Sequence, residues 1–500
     1  MTDASAQTLL ADLAPRDGRL SGALTITGLV LVTSAIAMAL RVPEAALSCY
    51  LIFFAHRDNA GDSIFTAIKL TIAASLGIFL GVLLLRGVIE EPMLRLAALV
   101  GFTFLGMFLS QASKLGPLAG TAGFVFAFLL TLADVIPVPE LMNRALEWMW
   151  VVLALPLGLM AFWAALAGKR PLHCAEERIT ARTRALADPQ GASAQALLDE
   201  GMGPLDDYRK FARMLGEARG EDAARLAYRA DDSFYQLALA EAGVFPQRSH
   251  AAPPPEPVPF LLPNAFTDPR HVRFALKVSL AVVITYAFYT AFGLFQIHTA
   301  MITCFYVALG TRGETHHRIA LRFAGAVMGA VAGFATMLWL MPLVDDIGGL
   351  LLLLAVPTFV AAWIGLGGER ISYAGWQLAL CFFLVVLTGF GPPTGIGAAV
   401  SRVIGILFGS AVIMVVFAVV WPDSARDDAL AAIDEMDTAL ATAPPPRSGR
   451  DIARLRAPLA QAMRLSEMAR YERLADLSPQ IAAAKARYHA FLRSTAHAAA

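Results

Sequence analysis

The sequence predicts an all-α polytopic membrane protein made of two parallel six-helix transmembrane repeats, each followed by a cytosolic helical segment. Three observations carry that expectation. Hydrophobic residues fill 57% of the 500 positions and charged residues only 16%, against roughly 25% charged in a typical soluble domain, so the apolar surplus needs lipid as its solvent. The apolar residues gather into twelve runs, six on each side of a polar, Ala-rich middle. The two halves also match one another at a nearly constant offset.

A helix needs about 20 mostly apolar residues to cross a hydrocarbon core of roughly 30 Å. The cytosolic lead, 1–21, carries Asp12, Arg16, Asp17 and Arg19, and the run after it reads as a retained first helix because further spans follow. The first repeat, 22–168, offers runs at 22–40, 43–55, 64–85, 93–110, 117–133 and 146–167. Residues 169–270 are rich in Ala, Leu, Arg and Glu, which favours a cytosolic helical insert, and contain a stiff linker at Pro253-Pro254-Pro255-Glu256-Pro257. The second repeat, 271–421, offers 275–293, 296–310, 319–341, 349–366, 372–390 and 400–421, and 422–500 forms a cytosolic helical tail.

Lys and Arg in short loops orient such a chain. With the N-terminus inside, Arg270, Arg273, Lys277, Arg312, Arg318 and Arg370 flank the second repeat on the cytoplasmic side, while its outer connections near 294, 342–348 and 391–399 carry neither Lys nor Arg. In the first repeat Arg57, Lys114, Lys169 and Arg170 fall inside, against Arg41, Arg86 and Arg144 outside. The N-terminus, insert and C-terminus are then all cytoplasmic.

The internal match pairs Ser48-Cys49-Tyr50 with Thr303-Cys304-Phe305 at an offset of 255, carries Arg57 onto Arg312, and carries Ala119-Gly120 onto Ala374-Gly375. Ala73, Gly77 and Gly81 match Gly325, Gly329 and Gly333 at an offset of 252. Six spans per half is an even number, so both halves enter from the same side, related by an axis along the membrane normal, with a path expected between them.

The second run of each half is short, with only Ala45 to Ala55 and Thr299 to Gly310 free of charged residues and His. Short segments in corresponding positions of two halves point to a transport site, because helices that stop inside the membrane present their ends to an ion. After the second of these, Arg322 shares a helical face with Gly325, Gly329 and Gly333. Small residues at that spacing, like Gly77 and Gly81 in the first half, let a neighbouring helix approach closely. An arginine on a packed face avoids lipid, where its charge costs several kcal/mol, and an anion is its natural partner. Lys69 is the nearest counterpart in the first half, where Leu70 holds the strict register. Arg312 and Arg318 are expected to shape the inner entrance, with Arg57 in a related role, and Arg144 and Arg402 open the sixth run of each half, where arginines also bind lipid headgroups.

Cys49, Cys174, Cys304 and Cys381 form no CxxC pair or Cys/His cluster, which leaves no metal site or disulfide framework. Without a phosphate-binding Gly-rich loop, a GxSxG elbow or HExxH, no enzyme and no cofactor is expected. Forty Lys plus Arg against forty Asp plus Glu argue against nucleic acid as a partner.

Six spans, a helical insert, six more spans and a tail, with Arg322-Phe323-Ala324-Gly325-Ala326-Val327-Met328-Gly329 as the most specific local match, resemble the fusaric acid resistance family, which includes aromatic acid exporters of Gram-negative bacteria. The first half departs from that pattern at Lys69 and Leu70. The resemblance implies an inner-membrane efflux transporter for aromatic or other hydrophobic organic acids, a pump subunit working with a periplasmic adaptor (membrane fusion protein) and an outer-membrane channel, with homo-oligomers open. A more distant similarity to plant aluminium-activated malate channels gives a passive organic-anion channel as the alternative. A membrane scaffold without flux is the third reading. The residue pattern alone reaches only anion passage; aromatic specificity, direction and adaptor come from the resemblance.

Overall fold

The computed structural model describes all residues except 1–10, 17, 89–90, 136–138, 245–248, 250–258, 298, 388, 390–396, 473–475 and 500, so the Pro253–Pro257 linker lies outside the described residues. Among the described residues the fold is all-helical, with one isolated antiparallel bridge between Ser113 and Leu261. The first membrane block comprises α1 (Arg19–Ala39), α2 (Ala45–Ala55), α3 (Ala60–Val88), α4 (Pro92–Ala112), α5 (Pro117–Val135) and α6 (Pro139–Ala167). Four insert helices follow, α7 (Pro171–Ala185), α8 (Ala192–Asp199), α9 (Gly203–Met214) and α10 (Gly220–Glu241). The second block comprises α11 (Pro269–Ala291), α12 (Thr299–Val307), α13 (Arg312–Ala335), α14 (Ile347–Gly365), α15 (Ser372–Val386) and α16 (Gly397–Val419). The tail adds α17 (Ala425–Thr442), α18 (Gly449–Ala469) and α19 (Ser478–Ala499).

Every apolar run is therefore helical, but the helices differ in reach. Among the described residues eight are long and apolar enough to cross a membrane, whereas α2, α5, α12 and α15 are shorter or less extended in their apolar part. At 1.5 Å per residue α2 and α12 extend only about 16 and 14 Å, about half the hydrocarbon thickness. Local chemistry explains where several helices begin. Asp268 caps α11 by accepting from the Arg270 N–H, with Pro269 in the first turn, so the helix starts before its apolar run. Thr311 and Glu314 form a capping box at the start of α13. Asp346 caps α14 by accepting from the Gly349 N–H.

The two blocks pack reciprocally. α1 lies on α14 and α11 lies on α4, so each first helix covers the fourth helix of the other block. Likewise α2 lies on α15 and α12 on α5. Arg19 fastens one of these contacts, donating from Nε and Nη2 to the Trp363 carbonyl at 2.8 and 2.6 Å. Glycines set the spacing of third against fifth helices in both blocks. A Cβ on Gly333 would lie 2.8 Å from Val385 Cβ, and one on Gly329 3.0 Å from Cys381 Cβ; at Gly81 and Gly77 it would meet side-chain tips instead, Leu129 Cδ1 at 2.6 Å and Val125 Cγ1 at 3.3 Å.

The insert and the tail form a single helical domain. Leu198, Leu205, Phe234 and Leu237 of the insert share a core with Met436, Leu459, Tyr488 and Leu492 of the tail. A buried ion cluster crosses the same seam, with Glu241 meeting Arg456 and Lys485 while Arg456 also reaches Asp199 at 2.8 Å. This domain grips the start of α13. The Glu472 carboxylate accepts from the backbone N–H of Gly313 at 2.7 Å and of Ala425 at 2.9 Å, and Arg464 pairs with Glu314 at 2.7 Å.

Candidate functional site: a buried arginine between the two membrane blocks

Helix α13 reaches Arg322 about three turns after its cap, on the face that carries Gly325 and Gly329. A Cβ on Gly325 would meet the Ala374 carbonyl oxygen, and one on Gly329 the Leu378 carbonyl oxygen, so the α13 and α15 backbones nearly touch. That approach carries the Arg322 side chain between helices, where it is only 3% exposed. Nη1 donates to Tyr373 Oη at 3.0 Å and to Gln377 Oε1 at 2.8 Å, both on α15. Nη2 donates to Thr303 Oγ1 on the short helix α12 at 3.0 Å.

All three acceptors are neutral. Among the described residues no carboxylate pairs with Arg322, and its Nε–H has no hydrogen-bond partner. Burying an ion is costly unless an opposite charge accompanies it. The unused Nε–H leaves donor capacity in a group whose planar fork matches the two oxygens of a carboxylate. One turn earlier, Arg318 lies over the Tyr373 ring at 4.3 Å and is half-buried. Tyr373 thus touches both arginines, one through its hydroxyl and one through its face.

Aromatic side chains from both blocks continue the site. Tyr50 of α2 and Tyr306 of α12 lie near Arg322 and Tyr373. Tyr306 meets Phe124 of α5 at 5.3 Å and Phe54 of α2 at 6.3 Å, and Phe54 meets Trp376 of α15 at 5.3 Å. Phe54, Phe124, Tyr306 and Trp376 each keep part of their surface accessible although they sit where four helices converge. The result is a cationic pair supplied by the second block, with a cluster of aromatic rings nearby to which the first block contributes Phe54 and Phe124.

Of the residues singled out from sequence, the structure brings Arg322 and Arg318 together and sets the others apart. Arg312 is the first residue of α13, its backbone N–H bonded to the Asp423 carbonyl. Arg57 follows α2, its N–H bonded to Ser63 Oγ at 3.0 Å. Lys69 is exposed on α3. Arg144 is exposed on α6, 3.6 Å from Glu140. Arg402 donates to the Leu384 carbonyl at 2.7 Å and lies 4.0 Å from Glu44.

Sequence reasoning missed Tyr373, Gln377 and the aromatic cluster with Phe54 and Phe124. It also missed a second polar group, where Asp134 at the end of α5 pairs with Arg95 at 3.1 Å and accepts from Tyr286 Oη at 2.8 Å. Asp134 closes the uncharged run that begins at Pro117, and a charge in that position was the available signal.

Comparison with known proteins agrees with this architecture. Residues 282–416, within the second block, match the family model described as fusaric acid resistance protein-like. The chain is 27% identical over 481 residues to the multidrug resistance protein MdtO of Escherichia coli K12, covering 82% of this chain and 70% of that protein. It is 38% identical over 175 residues to MdtO of Shigella flexneri, covering 34% and 26% respectively. The inner membrane protein YccS of Escherichia coli K12 is 28% identical over 152 residues, or 30% of this chain and 20% of that one. No solved structure matches. The family match lies on the block that carries Arg322, and the similarity to MdtO extends through both blocks, so the chain resembles the fusaric acid resistance protein-like membrane proteins.

Proposed function

We propose that the protein is an inner-membrane efflux transporter for aromatic or other hydrophobic organic anions. The observation that carries this reading is Arg322, a buried guanidinium with neutral partners and an unused Nε–H. A carboxylate supplies the missing negative charge, and the aromatic rings nearby receive the apolar remainder of the same molecule. The kinship to proteins named for multidrug resistance supports export as the direction. The two blocks act as parallel repeats with the substrate path between them, a reading supported by their reciprocal packing. The insert and tail face the cytoplasm, and the transporter works with a periplasmic adaptor and an outer-membrane channel. Arg318, Arg312 and Arg57 form the cytoplasmic approach, with Lys69, Arg144 and Arg402 as peripheral cations.

A strain lacking the protein should accumulate radiolabelled benzoate and become sensitive to it. Unchanged accumulation across a broad panel of organic acids overturns the proposal. One observation favours a second reading, a passive anion channel: among the described residues no carboxylate pairs with Arg318 or Arg322 to act as a coupled proton carrier. Purified protein in liposomes then carries voltage-driven anion current without a pH gradient, which a strictly coupled pump does not.

A further inference from the structure

Residues 259–268 join the insert to α11 and lie outside every apolar run of the sequence, yet they carry Phe260, Leu261, Leu262 and Phe266. The segment is a series of turns pinned to the end of α4. The Lys114 N–H donates to the Phe260 carbonyl at 2.9 Å and the Leu262 N–H to the Ala112 carbonyl at 2.9 Å, on either side of the Ser113–Leu261 bridge. Further along, the Ala265 N–H donates to the Leu262 carbonyl, those of Thr267 and Asp268 donate to the Asn264 carbonyl, and Pro263 has no N–H to satisfy. Such internal pairing is what non-helical backbone needs where water is scarce.

The far end of the segment reaches membrane depth. The Phe266 ring meets Phe108 of α4 at 5.8 Å. Phe108 lies four residues before Ala112, the last residue of that helix, so Phe266 sits about 6 Å inside the helix end at 1.5 Å per residue. Ala265, beside it in the chain, is buried in the same cluster as Phe108, Phe274 and Ala275. Phe266 itself is 80% exposed, the highest value of any large apolar side chain among the described residues, and Phe260 is 49% exposed. The segment leads into α11, which exposes a row at Val272, Leu276, Leu280, Ile284 and Phe288, about one helical turn apart. An exposed ring at that depth, beside two helices apolar enough to cross a membrane, meets lipid and not water. Lys114, exposed and tied to Phe260 through its backbone, adds a cation where lipid phosphates lie.

We propose that residues 260–266 form an interfacial membrane anchor, with Phe260 and Phe266 inserted at the boundary between headgroups and acyl chains in the leaflet on the insert's side. Its partner is the lipid surface. The sequence assigns this segment to the soluble insert; the anchor moves it to the membrane, and it holds whichever solute the protein carries. With its backbone bonded to α4 and its rings in lipid, the segment fixes the start of α11 against α4, one of the contacts by which the second block meets the first.

The test uses the full-length protein reconstituted into liposomes. The four native cysteines are buried, so Phe266→Cys takes a nitrobenzoxadiazole maleimide at the new position. The labelled variant should emit blue-shifted light and lose about half of it when the phospholipid bears a nitroxide near the headgroup end of its acyl chain, and less when the nitroxide is near the methyl end. Labelled Phe260→Cys should behave alike, and it decides the matter if the first variant fails to fold. Labelled Thr438→Cys, exposed on α17, should keep the emission of a dye in water with either lipid. Water-like, unquenched emission from the folded Phe260 and Phe266 variants overturns the anchor. Blue-shifted emission that neither nitroxide quenches means that protein, such as a second copy of the chain, covers the rings, and it overturns the anchor as well.

Discussion

Replacing Arg322 with methionine separates the two roles that a buried arginine can have. Methionine keeps an unbranched stem of similar reach and discards the charge and all five donors. Arg322 makes three hydrogen bonds at 2.8 to 3.0 Å, and bonds to a charged group contribute about 1.5–3 kcal/mol each. Their loss therefore costs roughly 5–9 kcal/mol. Against this stands the desolvation of a guanidinium without a counter-ion, which is several kcal/mol and is relieved by the substitution. The two nearly cancel, so the ligand-free variant should unfold within about 3 kcal/mol of the wild type. Ligand linkage behaves differently: benzoate at one hundred times its Kd should stabilise the wild type by about 2.7 kcal/mol and the variant not at all. Thermal unfolding of the detergent-solubilised proteins with and without benzoate measures both quantities. Arg322→Lys should keep a fraction of the benzoate effect, because a point charge remains but the planar fork is gone. A methionine variant that still gains stability from benzoate, or one that cannot fold without ligand, refutes the assignment of Arg322 as the anion's partner.

Burial alone would push the Glu241 carboxyl up, but the nearby His489 ring, 3.4 Å away, and the cations of Arg456 and Lys485 outweigh it and hold it well below the usual carboxylate range. Because the folded-state value is depressed, the stabilisation is complete above the unfolded value of about 4.3 and is lost as pH falls below it. Glu241→Gln should cost about 3–5 kcal/mol at neutral pH and flatten the acid limb of a chemical denaturation series followed by circular dichroism. At Gly329, Val would drive a side chain into the Leu378 carbonyl and Cys381, so Gly329→Val should abolish folded protein in size-exclusion profiles, whereas Gly28→Val, where a Cβ meets nothing within 4 Å, should not. Single cysteines placed at Gln195 in the insert and Thr438 in the tail should react with impermeant maleimide only after the cells are opened, while one at Asp345 reacts in intact spheroplasts; labelling of the insert from outside would reverse the orientation.

The helices were legible because lipid imposes a simple rule on composition, and the shortness of α2 and α12 followed from the distance between polar residues in the chain. The glycine spacing around Arg322 likewise announced a close helix contact. What it did not announce was the partner. Tyr373 and Gln377 lie 51 and 55 residues beyond Arg322, and their meeting depends on the register of α13 against α15, which no periodicity within either helix encodes. Phe54 and Phe124 were ordinary members of apolar runs until packing set them both against Tyr306. The union of insert and tail was hidden for a similar reason, since each amphipathic helix records that it has an apolar face but not which distant helix covers it.

That union has a consequence for how the protein is made. Phe234 and Leu237 leave the ribosome long before Met436, Tyr488 and Leu492, which complete their core, and the whole second membrane block must be synthesised in between. At about 5–20 residues per second the insert waits on the order of tens of seconds with its apolar face uncovered. The arrival of the tail closes the face and, through Glu472 and Arg464, secures the first turn of the helix that bears Arg322. A chain interrupted after the second block therefore leaves the apolar face of the insert uncovered and the first turn of α13 without Glu472 and Arg464.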